Sequence, residues 1–473
     1  MADSHICDQG KIVSCGAIIL YCLNLPSEIR YLLENIFIVG LTPSPFKPDA
    51  VTLIHLLDPV IDTILQYLPP GKQITTHYHP EGVKIQARII PLIADLPAAR
   101  EAGGFLSHSA THFCSFCNCK SSDVESLDFT SWTIRNGIEV QQQAEVWRNL
   151  VTKADRVRQA TATGVRWTSL HRLPYRDPVM HTILGFMHNW LEGVLQHQLR
   201  VLWGIGRPDE TEQVLMEIDQ EDQFSESELS ESADELEQLR QEAIAVETGK
   251  LDLPPSSPSS NASTTPRATP NPFMNMDIDD DDPVGDPDYV DPPITQGSFE
   301  FTNKELEQIH SCIQNVSLPT WVGRPPTNLG EKGHGKLKAH QYLTLFTVIF
   351  PLILPKIWSK ASADSALEHE MLESFYNLVA STNIIASFKT SNSEAESYTQ
   401  HYLTYRASIQ QLFGNTPSIP NHHFAMHNES LLKYWGPLAG LSEFPGERIN
   451  GMLQKIKTNR HLCESHFSYQ NKS

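Results

Sequence analysis

The sequence predicts an α/β protein with a small mixed sheet, a large all-α part and a long disordered acidic segment. Apolar, β-branched runs bounded by Gly and Pro alternate with helical patterns in the first part of the chain. Apolar residues recur at helical spacing from about Thr302 to Leu412. Between Pro208 and Thr295 there are 24 acidic and three basic residues, a composition that cannot bury enough apolar surface to fold.

The N-terminal elements follow the order strand, strand, helix, strand, helix. The runs Lys11–Leu25 and Asn35–Gly40 are apolar and rich in β-branched residues, which predicts strands. Asp49–Leu68 repeats apolar residues at helical spacing, and its internal Pro59 should break this helix in two. Gly82–Asp95 alternates and then becomes continuously apolar, as a strand entering a sheet interior does. A further helix should then start near Pro97.

The helical part begins before the acidic segment and resumes after it. Glu145–Arg158 and His181–Trp203 have amphipathic or largely apolar helical patterns. After the acidic segment, Thr302 and Glu305 have capping-box spacing. The run Tyr342–Pro355 is shorter than the roughly 20 residues of a membrane span, so it predicts a core helix. These patterns divide the chain into an α/β part (1–125), a helical segment with a Met-His-Asn motif (126–207), the acidic segment (208–295), a mostly helical region (296–435) and a C-terminal helix returning to the core (436–473).

The acidic segment also dominates the charge of the chain. The formal net charge is -20, but the residues outside 208–295 comprise 32 acids and 33 bases. The charge of the whole chain therefore does not exclude a nucleic-acid partner for the folded part. The start of the sequence lacks the pattern of a secretory signal peptide, so we expect an intracellular, reducing environment.

Asp95 stands where the apolar run of the predicted third strand ends. In open α/β sheets, reactive groups collect beyond the carboxyl ends of the strands, and a carboxylate near apolar surface needs a cation or a hydrogen-bond donor. Mg²⁺ or Mn²⁺ would suit such an oxygen ligand. The alternative interpretation is an ordinary helix-capping Asp.

A second candidate site is the thiol-rich stretch that follows. Cys114, Cys117 and Cys119 lie together, and a C-x2-C pair is half of a common Zn²⁺ site. His188 is a candidate for a more distant ligand. Buried free thiols are the alternative.

Four blocks of this sequence together resemble the transposase-derived proteins of CACTA (En/Spm-type) DNA transposons. The blocks are Leu92–Cys117, Gly185–Leu199, Pro319–Gln341 and Tyr434–Asn459. The resemblance implies an RNase H-like core, a five-stranded mixed sheet whose three acids hold two divalent ions for DNA strand cleavage and transfer. It also implies a nuclear location, transposon-end DNA as the partner, and a capacity for self-association.

Within this resemblance, Asp95 matches the second acid and Glu447 the third, with Glu192 as the rival for the third position. The Cys pair and His188 match the Cys/His features that follow the second acid. The resemblance puts the first acid on a first strand, and we expect this chain to start after that strand, because residues 1–11 do not form an apolar run. The predicted DNA-contacting residues are Lys336, Lys338, Lys455, Lys457 and Arg460.

Two functions from different classes therefore remain open. The chain is either a transposon-derived protein resembling a metal-dependent transposase, truncated or catalytically impaired because its first acid is missing, or a non-catalytic nuclear interaction or DNA-binding protein. In the second case the retained fold and the acidic arm would bind other proteins.

Overall fold

The computed structural model describes residues 2–8, 11–42, 50–128, 131–206, 299–331, 334–359, 366–414 and 416–454. These residues form a mixed α/β structure that is mostly helical and carries two small antiparallel sheets. The predicted α/β class and the large all-α part are confirmed. The acidic segment 208–295 lies outside the described residues.

The first sheet has three antiparallel strands in the order β1-β2-β3. They are β1 (Ala2–Asp8), β2 (Lys11–Tyr21) and β3 (Ile36–Leu41). Residues 2–8 are not an apolar run, yet they form β1, which pairs with β2 along its whole length. Pairing with an apolar neighbour satisfies the main-chain groups of a polar segment, whatever its side chains are.

The predicted third strand is mostly absent. Two strands, β4 (Lys72–Ile74) and β5 (Val83–Ile85), form a separate two-stranded sheet. Between β5 and Asp95 this run makes one isolated bridge, the parallel one between Leu92 and Thr182. Pro91, just before the bridge, has no N–H group to donate to a strand ladder. The five-stranded mixed sheet is not found among the described residues, and an RNase H-like core is not confirmed.

Five α-helices precede the Met-His-Asn motif in the described part of the chain. They are α1 (Ser27–Arg30), α2 (Ala50–Leu65), α3 (Leu96–Gly103), α4 (Gly137–Asn149) and α5 (Lys153–Thr163). Pro59 lies inside α2 without breaking it, because Leu53, Leu57 and Ile61 are buried along one face and hold the helix against the core. The predicted helix 145–158 is in fact two helices, since Thr152 caps a new start for α5.

The remaining helices build the larger part of the structure. They are α6 (Phe186–Leu195), α7 (His197–Leu202), α8 (Asn303–Asn315), α9 (Ala339–Thr344), α10 (Phe350–Trp358), α11 (Ala366–Ile385), α12 (Asn392–Leu412), α13 (Pro420–Ala425), α14 (Asn428–Trp435) and α15 (Phe444–Gln454). Helices α6 and α7 are wide-turned π-helices. The predicted capping box at the start of α8 is confirmed, because Thr302 and Glu305 exchange hydrogen bonds.

One core joins segments from both sides of the acidic stretch. Trp203 is stacked on Phe346 and meets Phe350 and Trp358 edge-on. The same buried cluster contains Cys114, on the loop after α3. The described parts of 86–207 and of 299–454 are therefore held together by shared apolar contacts.

The apolar stretch Ala339–Trp358 is the one helical run among the described residues that passes a length-and-hydropathy test for crossing a membrane. Its residues Leu345, Phe346, Ile349 and Phe350 are completely buried against the protein. These contacts agree with the predicted core helix.

A polar network is buried between α7, α12 and α13. His422 and His197 share a hydrogen bond of 3.1 Å between Nε2 and Nδ1, and the Tyr402 hydroxyl lies 3.0 Å from Nδ1 of His422. Burial, together with the nearby Arg406, lowers the pKa of His197 from 6.5 to about 3 and also lowers the pKa of His422. Both imidazoles therefore stay neutral in the folded protein over the ordinary pH range.

This network predicts an acid-sensitive stability. Below pH 6.5 the unfolded chain binds protons at these histidines and the folded protein does not, so the free energy of unfolding falls as the pH falls from 6.5 towards 3. Each such histidine adds up to about 1.4 kcal/mol per pH unit to the slope. Urea unfolding of the wild type and His197→Gln across this range should give a shallower slope for the variant. Equal slopes would contradict the assignment.

Candidate metal centre and carboxylate cluster

Four buried donor side chains converge in the core from two distant parts of the chain. Cys114 and Cys117 lie on the loop that follows α3, while His423 belongs to α13 and His427 precedes α14. Their ligand atoms all lie within 4.8 Å of one another. His423 and His427 are four residues apart and therefore project from the same side of the chain as it turns between the two helices.

The distances between these four ligand atoms fit a cation with tetrahedral coordination. The Cys114 Sγ–His427 Nε2, Cys117 Sγ–His423 Nε2 and His423 Nε2–His427 Nε2 distances are 3.4, 3.3 and 3.4 Å. Tetrahedral Zn²⁺ with ordinary bond lengths would separate two nitrogens by about 3.3 Å and a nitrogen and a sulfur by about 3.6 Å. The group could therefore bind a metal such as zinc.

The protonation of the metal-free group differs from donor to donor. Burial opposes ionisation of Cys114, but hydrogen bonding to Cys117 and the adjacent His427 together lower the pKa of Cys114 well below its usual value. The pKa of Cys117 is instead raised by its contacts with Cys114 and Cys119. Burial lowers the pKa of His423, but Cys114 and Cys119 outweigh it and raise this pKa to about 9. Because thiolates and neutral imidazoles are the forms that ligate a metal, metal binding would release protons from Cys117 and His423.

The predicted zinc ligands Cys119 and His188 are not members of this group. The Cys119 thiol is buried beside it and donates to the Lys120 carbonyl at 3.4 Å. His188 lies instead on α6, where its Nδ1 is 2.9 Å from Glu192. Sequence reasoning missed His423 and His427, although their H-x3-H spacing is the usual second half of a C-x2-C zinc motif.

The second site is a group of acids near the start of α15. Glu447 lies in the first turn of α15, and Asp95 is the N-cap of α3, where it accepts a hydrogen bond of 2.7 Å from the Ala98 N–H. Glu443 is buried, and its Oε2 accepts the Met187 N–H at 3.1 Å. We call Asp95, Glu192, Glu443 and Glu447, with His188, the carboxylate cluster.

The members of the carboxylate cluster act on one another electrostatically. Burial raises the pKa of Glu447 to about 7; His188 opposes this shift, while Glu192, Asp95 and Glu443 add to it. Burial also raises the pKa of Glu443. Glu192 has the opposite shift, because its bond to His188 outweighs its burial and lowers its pKa. The charges of Asp95 and Glu447, two acids far apart in sequence, therefore interact in the folded protein.

The basic residues predicted to contact DNA are only partly described. Lys336 is exposed, and its charge helps to lower the pKa of Glu192, so it lies near the carboxylate cluster. Lys338 immediately precedes α9. Lys455, Lys457 and Arg460 lie outside the described residues.

No protein-family model matches this chain, and no curated protein shows significant similarity to it.

The four-donor group predicts stoichiometric zinc. The purified protein should contain about one zinc per chain by elemental analysis, and Cys117→Ser or His423→Ala should lose it, because three ligands bind zinc much more weakly than four. Chelator treatment should lower the midpoint of thermal unfolding, since metal binding adds to folding free energy.

Cys312→Ser is the matched control, since Cys312 is half-buried on α8 and lies outside the four-donor group. It should retain zinc. Wild-type protein that is folded and free of metal after expression in zinc-supplemented medium would contradict the site.

Proposed function

We propose that this chain is a transposon-derived protein that acts on DNA, with the carboxylate cluster as its binding site for Mg²⁺ or Mn²⁺. The observation that supports this most is that the charge of Asp95 contributes to the raised pKa of Glu447. The resemblance assigned these two residues as the second and third acids of a metal-binding triad, from opposite ends of the sequence. An interaction between their charges is consistent with that assignment, in which both acids bind the same divalent ions.

The chemistry proposed is hydrolysis and transfer at a phosphodiester. Divalent ions in such sites hold the phosphate and stabilise the attacking and leaving oxygens. Asp95 and Glu447 would supply oxygen ligands, and deprotonation of Glu447 would accompany cation binding because its pKa is raised in the cation-free protein. Glu192, whose Oε2 lies 2.9 Å from His188 Nδ1, remains the rival of Glu447 for the third acid.

The four-donor group, called the zinc group from here on, would hold the carboxylate cluster together when it binds a metal. The loop with Cys114 and Cys117 follows α3, which Asp95 caps, and His423 and His427 precede α15, which carries Glu447. A metal bound to all four would tie together the two segments that supply the acids. A structural zinc site of this kind is fully coordinated by protein and leaves no open position for substrate.

The nearby cationic side chain supports a polyanionic partner. Lys336 is exposed close to Glu192, and a phosphate backbone passing the carboxylate cluster would meet it. Lys338, Lys455, Lys457 and Arg460 remain predicted DNA contacts. Nuclear location and self-association remain predictions from the resemblance.

The alternative function is that of a non-catalytic nuclear interaction or DNA-binding protein. One observation favours it: the Asp95 carboxylate already has the ordinary role of a helix cap, bonded to the Ala98 N–H. A carboxylate that only caps α3 would not need a cation.

Cation titration separates the two functions. Calorimetric titration with Mn²⁺ should show binding to the wild type and at least tenfold weaker binding to Asp95→Asn and Glu447→Gln, because each loses an anionic ligand. Glu192→Gln tests the rival acid in the same way. The control Glu370→Gln changes an exposed acid on α11 and should leave binding unchanged.

A nicking assay on supercoiled plasmid DNA then tests catalysis. Mn²⁺-dependent nicking by the wild type, abolished in Glu447→Gln, would support the enzyme. Weak and equal heats of Mn²⁺ binding for the wild type and both variants would contradict the proposed cation site. Cation and DNA binding without nicking would instead favour the non-catalytic function.

A further inference from the structure

Two arginines are buried around the loop that carries Cys114 and Cys117. Arg100 on α3 and Arg135, just before α4, are 3% and 8% exposed. Arg100 donates from Nε to the Leu106 carbonyl at 2.6 Å and from Nη2 to the Phe113 carbonyl. Neither guanidinium forms an ion pair with a carboxylate in the described part of the chain. Such charges are costly to bury unless something compensates them.

Arg135 makes the more specific contacts with the two cysteines. Its Nε donates to the carbonyl of Cys114 at 2.9 Å and to the carbonyl of Cys117 at 3.1 Å. Its Nη1 donates to the Thr163 carbonyl at 2.8 Å. One rigid guanidinium therefore fixes the peptide groups at both ends of the C-x2-C turn and joins them to the end of α5.

The surrounding main chain holds Arg135 in this position. The Arg135 N–H bonds the Phe116 carbonyl at 2.9 Å, and the Asn118 N–H bonds the Thr133 carbonyl at 3.0 Å, around the antiparallel bridge between Cys117 and Ile134. Gly164 leaves the space for the side chain: a Cβ there would lie 2.9 Å from Arg135 Nη2 and 2.6 Å from the His112 carbonyl.

The same turn also points main-chain donors at the sulfurs. The Phe116 N–H donates to Cys114 Sγ at 3.3 Å, and the Cys119 N–H donates to Cys117 Sγ at 3.4 Å. These bonds stabilise thiolates and form only while the turn keeps its shape. The Arg135 guanidinium therefore positions the two sulfur atoms through its hydrogen bonds to the backbone carbonyls of Cys114 and Cys117.

We propose that Arg135 is a positioning residue for the metal centre formed by Cys114, Cys117, His423 and His427. Its two hydrogen bonds to the cysteine carbonyls set the geometry of that centre and its affinity for the metal. This inference rests on the proposed zinc group. It assigns no role in DNA chemistry to Arg135.

The test compares Arg135→Lys and Arg135→Gln with Arg324→Lys. Lys keeps the charge but lacks the rigid planar fork, and Gln removes the charge that must be buried. Arg324 is the matched control: it also donates to main-chain carbonyls, those of Ile313 and Val316 at the C-terminal end of α8, and it is not a member of the four-donor group. Zinc affinity is measured by competition with a chromophoric chelator, and ligand geometry by the visible absorption spectrum of the Co²⁺-loaded protein.

Both Arg135 variants should bind zinc at least tenfold more weakly than the wild type and should give a changed Co²⁺ spectrum at saturating metal. Arg324→Lys should match the wild type in both measurements. Wild-type affinity and spectrum in the Arg135 variants would overturn the proposal. If the wild-type protein binds no zinc, the metal centre itself is contradicted. If all four proteins bind zinc equally, only the proposed role of Arg135 is contradicted.

Folding is checked by far-ultraviolet circular dichroism without metal. If the metal-free Arg135 variants unfold, saturating Zn²⁺ should restore the native spectrum, because the metal then imposes the geometry of the turn. Failure to restore it would show that Arg135 supports the fold and not the metal centre, which overturns the proposal.

Discussion

The arrangement of the two candidate sites depends on the contact of the Cys114 and Cys117 side chains with those of His423 and His427. These four side chains come from segments more than three hundred positions apart in the numbering and are all buried in one apolar core. A cation bound between them would cross-link the two segments, because each ligand pair belongs to a different one. The apolar core brings the segments together, and the donor group gives their contact a defined geometry.

That cross-link bears directly on the carboxylate cluster. Asp95 precedes the cysteine loop by one short helix, and Glu447 follows the histidines by one helix and a turn. Fixing the loop against α13 therefore limits how far the two acids can separate. Burial is the main cause of the raised pKa of Glu447, and the charges of Glu192, Asp95 and Glu443 add to it. A divalent cation bound by these acids would favour their ionised forms.

Local patterns in the sequence predicted local features well. The N-cap at Asp95, the capping box at Thr302 and the core helix near Phe346 follow from rules that act within a few residues. The sheet was predicted poorly, because strand pairing depends on partners that local patterns do not reveal. The expected strand 82–95 pairs only at Val83–Ile85 and at Leu92, whereas pairing with β2 makes a strand of a polar segment. Within the zinc group, the cysteine pair was found, but the H-x3-H spacing of His423 and His427 was missed, because only the fold brings these histidines to cysteines some three hundred positions away.

The central claim is most directly tested by X-ray absorption at the zinc edge on the purified full-length protein. Two sulfur ligands at about 2.3 Å and two nitrogen ligands at about 2.0 Å per zinc are expected from the four converging donors. A first shell of three or four sulfurs, or one made only of oxygen and nitrogen, would contradict the account.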